Sequence, residues 1–163
     1  MLIGYLRVNP TDACTLPRII KKEMHPLEED QVTAFLKEVQ GSPHENLYKI
    51  ALFTGLREGE ILGLGWEHID LENGILTVKR QLRKEQKKGG QYYFSPPKNN
   101  RARSISLAPS VVLLFRLQKL EQNSMRMEAG DAWQENGLVF SNQTGGYLSY
   151  RTGYDCFKRI VKK

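Results

Sequence analysis

Apolar residues at Val32, Phe35, Leu36 and Val39 repeat at i, i+3, i+4 and i+7, a spacing that predicts a helix with one buried stripe starting from Leu27. Gly41-Ser42-Pro43 interrupts it, and Leu47, Ile50, Ala51 and Thr54 share one face of a second helix. A short third helix follows the Gly55 turn, with Ile61, Leu62 and Leu64 on its buried side and Gly65 as its expected end. The period then falls to two. Residues 75–80 alternate after Asn73-Gly74 and predict a strand; Tyr92-Tyr93-Phe94 and residues 103–107 predict two more, with Lys98-Asn99-Asn100 in the turn joining them. Pro109 opens a helix whose buried face is expected at Val111, Leu114, Phe115, Leu117 and Leu120. Residues 121–136 are polar and weakly periodic, and Leu138-Val139-Phe140 is a short buried run. Ser149 is the expected N-cap of a last helix, on which Tyr150, Tyr154, Phe157 and Val161 share a face. Helices, a small three-stranded antiparallel sheet and helices again make an α+β fold, mostly α-helical.

The first 26 residues read differently. Leu2, Ile3 and Leu6 would end a helix at Asn9-Pro10, and Pro17 and Pro26 punctuate an extended linker. The chain therefore divides into a leader, 1–26, and a main unit, 27–163. Its 163 residues suit one such unit with a real core. No run reaches the roughly 18 apolar residues of a membrane span, and no signal-peptide layout opens the chain. Cys14 and Cys156 lie far apart, and His25, His44 and His68 are scattered, so neither a disulfide framework nor a metal site is suggested. A reducing cytoplasm is the expected compartment, with no cofactor and no small-molecule substrate.

Charge adds a location. Residues 79–103 hold Lys79, Arg80, Arg83, Lys84, Lys87, Lys88, Lys98, Arg101 and Arg103 against the single acid Glu85, which exceeds the whole chain's net charge of +6. A cationic segment on a body otherwise near neutral points to a polyanion, and nucleic acid before others.

The densest chemistry lies in Thr54-Gly55-Leu56-Arg57-Glu58-Gly59-Glu60-Ile61-Leu62-Gly63-Leu64. Arg57 and Glu60, three apart, fall on one helical face, so the carboxylate can hold the guanidinium in one orientation. A planar fork held in this way suits a phosphate. The string, followed by Trp66 and Asp70-Leu71, resembles the first arginine box of the tyrosine recombinases, the phage integrase family, which cut and rejoin DNA through a 3′-phosphotyrosyl intermediate. Pro97-Lys98-Asn99-Asn100-Arg101-Ala102-Arg103-Ser104-Ile105-Ser106-Leu107 is similar to that family's P-K-T-x-x-S-R-x-I-x-L hairpin, with Asn99 and Ala102 departing from the usual threonine and serine.

The resemblance covers residues 27–163 and implies the recombinase catalytic fold, with the leader as the end of a core-binding domain and its strap. It implies double-stranded DNA as partner, tetramers on paired sites, and no metal or nucleotide. Arg57 would grip the scissile phosphate, Glu60 would orient Arg57, and Lys98 would protonate the leaving 5′ oxygen. Lys79, Arg80, Arg101 and Arg103 are the expected contacts to the DNA backbone. The family's second His-x-x-Arg box and tyrosine nucleophile have no counterpart here: no histidine follows His68, and Tyr147, Tyr150 and Tyr154 precede the position where that box would fall. The expectation is the front part of a catalytic domain, incomplete at its C-terminus, inactive alone, and exposing apolar surface that promotes self-association. A DNA-binding relic of an integrase without chemistry, and a basic α+β domain of unrelated role, are the competing readings.

Overall fold

The computed structural model describes residues 14–15, 26–87 and 89–162. The leader helix end and linker expected before Pro26 lie outside these, apart from Cys14 and Thr15. Helices α1 (Glu29–Val39), α2 (Glu45–Thr54) and α3 (Glu58–Leu62) come first. A 3-10 turn at Trp66–His68 leads into strands β1 (Ile69–Asp70), β2 (Ile75–Val78), β3 (Gln81–Lys84), β4 (Tyr92–Ser95) and β5 (Arg103–Ser106). The long α4 (Pro109–Ala129), a 3-10 turn at Gly130–Ala132 and α5 (Tyr150–Val161) complete the order. No described helix is long and apolar enough to cross a membrane.

The sheet has the expected size with different membership. Its three antiparallel strands run in the order β1-β2-β5, with Leu76 opposite both Ile69 and Ile105. Tyr92–Phe94 does not join it: β4 pairs with β3 in a separate ribbon, Leu82 opposite Phe94. The turn at 98–100 thus links strands of two different sheets. The alternation from Ile75 onward is continuous in sequence, but the chain changes sheets at Lys79-Arg80, where the Arg80 side chain turns back to the Gly63 carbonyl and Glu67.

Two helix expectations are corrected. The third helix stops at Leu62 and is capped by Gly63, whose N–H reaches the Gly59 carbonyl at 3.1 Å, two residues before Gly65. On α4, Leu117 and Leu120 face outward at 45 % and 64 % exposure, while Val111, Phe115 and Gln118 are buried. The reason is polar. The run 138–140 brings unpaired carbonyls against this helix, and Gln122 donates to the Leu138 carbonyl at 2.7 Å while accepting the Trp66 indole N–H at 2.7 Å. Satisfying those groups turns a glutamine face inward and rolls two leucines out. The weakly periodic stretch after residue 121 is simply the rest of α4, as far as Ala129.

The core joins all layers: Val39, Ile50, Ile61, Leu62, Leu76, Val78, Leu82, Phe115 and Val139 belong to one buried cluster. On α5, Cys156 and Ile160 are buried, whereas Tyr154, Phe157 and Val161 remain exposed beside α1 and α2.

Candidate phosphate-binding site

Arg57 owes its place to glycines on both sides. Gly55 ends α2 in the left-handed conformation at φ 63°, its N–H on the Ala51 carbonyl at 3.0 Å, which only a residue without Cβ adopts cheaply. The chain then reverses, and Arg57 becomes the residue that precedes α3. The helix itself lies flush on β3. A Cβ on Gly63 would come within 2.5 Å of the Leu82 nitrogen, and one on Gly59 within 3.0 Å of the Leu82 carbonyl oxygen. Those glycines let the two backbones touch.

Glu60 sits beneath Arg57 at 1 % exposure. Its carboxylate accepts the Arg57 backbone N–H at 2.9 Å and the Arg57 Nη1 at 3.1 Å, the pairing the spacing implies. It accepts two further bonds from a residue 43 positions later: Arg103 Nη1 at 2.8 Å and Nη2 at 2.7 Å. The Arg103 fork, assisted by the Arg57 donors and opposed by burial, holds the Glu60 carboxyl down at about 2. The same pair raises the Arg103 guanidinium above its ordinary value. Glu60 is a fixed anion between two cations, and Arg57 stays 56 % exposed above it.

The other expected site residues divide into two groups. Lys98, Arg101 and Lys79 are exposed, and none makes an ion pair among the described residues. Lys98 rides on a turn closed by the Asn100 N–H on the Pro97 carbonyl at 2.8 Å, with Asn100 at φ 52° and Pro97 buried beneath. Gln81 donates to the Pro96 carbonyl at 2.6 Å, so that turn is joined to the start of β3, the strand on which α3 rests. Arg80 and Arg103, in contrast, are committed within the protein. Arg80 donates to Gly63, pairs with Glu67 at 3.1 Å and covers the Phe94 ring at 4.1 Å. Arg103 places both Nη atoms on Glu60 while its side chain stays 38 % exposed. Sequence reasoning paired Glu60 with Arg57 alone; the partner from β5 was out of reach of any local spacing rule.

Tyr150 and Tyr147 hold structural positions, whereas Tyr154 is 52 % exposed. Tyr150 donates its hydroxyl to the Leu82 carbonyl, and burial followed by the nearby Glu58 charge raises its pKa. Tyr147 packs edge-on against Phe94 and tilted against Tyr92. Among the described residues no cluster of His, Cys, Asp and Glu is arranged to hold a metal ion.

Residues 25–163 match the family described as phage integrase family. Over 98 % of its length the chain is 26 % identical to a tyrosine recombinase XerC-like protein of Caldanaerobacter subterraneus, and over 77 % it is 30 % identical to prophage integrase IntR of Escherichia coli. It spans 45 % and 29 % of those two proteins. Among solved structures, the Tn1549 transposon integrase in complex with transposon right end DNA superposes with a TM-score of 0.70 at 26 % identity, over 88 % of this chain and 46 % of that one. The XerH recombinase bound to its difH substrate gives 0.56 at 26 % identity, over 89 % of this chain and 38 % of that one.

Proposed function

We propose that this chain, which belongs to the phage integrase family of tyrosine recombinases, supplies the phosphate-gripping part of a site-specific DNA recombinase and binds duplex DNA across the face carrying Arg57 and Lys98. One observation carries the reading. Arg57 is tethered to a buried carboxylate held well below the usual carboxylate range, yet leaves more than half of its side chain open to solvent. It gives Glu60 one side-chain N–H, and among the described residues its guanidinium makes no other hydrogen bond.

Such an edge suits the non-bridging oxygens of a phosphodiester, which gather charge as the phosphorus is attacked. A rigid donor at that place is worth about 3–4 kcal/mol of barrier. Lys98, exposed on its turn, would hand a proton to the leaving 5′ oxygen, and lysine suits that task because a neighbouring cation and loss of water both lower its pKa. Lys79 and Arg101 would track the backbone. The nucleophile is assigned to none of Tyr147, Tyr150 and Tyr154, since Tyr150 uses its hydroxyl on Leu82 and Tyr147 is packed among aromatic rings. By themselves these 163 residues would bind DNA without cutting it. The working protein would act in the cytoplasm, as a tetramer on paired sites.

A second reading is a relic that holds DNA without chemistry. The coding sequence following Lys163 separates the two: an open frame with His-x-x-Arg and a tyrosine supports the recombinase, and a stop supports the relic. The shared premise is tested by fluorescence anisotropy with duplex DNA. Affinity should fall steeply between about 50 and 200 mM salt as Lys and Arg displace counterions. Binding insensitive to salt would remove the phosphate reading.

A further inference from the structure

We propose that Arg103 is a positioning residue: clamped on Glu60, it ties the strand that follows Lys98 to the helix led by Arg57, and so fixes how the two cations stand to one another. The inference rests on the reading that Arg57 and Lys98 face one phosphate, and it replaces the expectation that Arg103 contacts DNA.

A carboxylate offers about four lone-pair sites, and Glu60 receives four N–H groups. Two come from Arg57, which adjoins the same five-residue helix, so Glu60 and Arg57 could swing together without straining either bond. Only the Arg103 fork arrives from another element. Its backbone is locked opposite Val78 in the register of β2 and β5, and β2 is buried at Leu76 and Val78. The carboxylate plane is therefore set by the sheet, and Arg57 inherits its angle from that plane.

Charge supports the same assignment. A lone Glu60–Arg57 pair would cancel the charge offered to a phosphate. With both Arg103 Nη atoms on Glu60, the three-residue cluster keeps a net +1, and Arg57 is its more exposed cation, at 56 % against 38 % for Arg103. Arg103 also sits five residues beyond Lys98, at the start of the strand into which the Lys98 turn runs. The clamp thus closes a circuit from Lys98 through β5 and Glu60 to Arg57. The opposite side is closed by Gln81 on Pro96 and by α3 on β3.

The test is a double-variant cycle on duplex DNA affinity, measured on this chain with Arg57→Gln, Arg103→Gln and the pair. A residue acting through Arg57 weakens binding by about the same factor as Arg57→Gln, roughly tenfold for one lost phosphate contact, and adds nothing when Arg57 is already changed. Full additivity overturns the proposal and restores Arg103 as a DNA contact. Arg103→Lys separates positioning from mere folding support: it should retain the wild-type melting temperature within a few degrees but not recover the Arg57-dependent affinity, and full recovery overturns a fork-set orientation. Should Arg57→Gln leave affinity untouched, the phosphate reading fails by itself. The clamp is then judged by carbon NMR titration of the Glu60 carboxyl: an upward shift in Arg103→Gln upholds it, and an unmoved midpoint overturns it.

Discussion

Glu60 is the residue on which the site turns, and its ionisation has a measurable consequence. The folded carboxyl titrates near 2, against an ordinary 4.5. A lowered folded value means the unfolded chain binds the proton more readily, so the stabilisation is complete above about 4.5 and is lost as pH falls towards 2. The size is on the order of 3 kcal/mol. Urea denaturation from pH 6 down to pH 2.5 should show a decline that Glu60→Gln lacks, and parallel declines in both proteins would contradict the clamped carboxylate. At the same scale, Arg57→Lys in a recombinase that includes these residues should fail to cleave despite retaining the charge. A point charge does not replace a planar fork. Near-normal cleavage by that variant would take Arg57 out of the reacting site.

Elements carry the next level, and α3 against β3 is the clearest. The Arg57 helix approaches the ribbon so closely that Gly63 has no room for a methyl group, the obstruction being the Leu82 and Gln81 backbone. Gly63→Ala should therefore cost about 1–3 kcal/mol through overpacking and displace Arg57 with its helix. Chemical denaturation gives the first figure, and DNA affinity falling beyond what stability explains gives the second. An alanine tolerated within about 0.5 kcal/mol would mean the helix and ribbon are looser than described. Gly55 was legible as the turn that opens the motif. Only the packing explains Gly59 and Gly63, because their neighbour is a strand some twenty residues away.

At the scale of the whole molecule, the described residues leave an apolar surface open. Between α1, α2 and α5 runs a groove of about 640 Å³, lined by Leu27, Phe35, Leu56, Tyr154, Phe157 and Val161 among others. Tyr154 and Val161 are 52 % and 60 % exposed there. Apolar surface of that extent favours association, so the chain should elute as a concentration-dependent mixture on size exclusion, shifted towards monomer by Val161→Asp. A sharp monomer at several hundred micromolar would refute the expectation.

How much of this was readable beforehand follows from the range of each interaction. Spacing within a few residues fixed the positions of α1, α2, α4 and α5, the turn at Gly55, the Arg57–Glu60 pair and the turn bearing Lys98, because backbone periodicity and i, i+3 contacts are local properties of a chain. Tertiary structure alone decided that β4 pairs with β3 and not β5, that glutamines and not Leu117 and Leu120 face inward on α4, and that Arg80 and Arg103 turn into the protein. The strand pairing is a choice between two neighbours in sequence, and the side-chain outcomes depend on a polar group finding its partner 16 or more residues away. Hydrophobic pattern records which residues leave water, but a carbonyl or carboxylate waiting in the folded interior leaves no mark on the residues that will meet it.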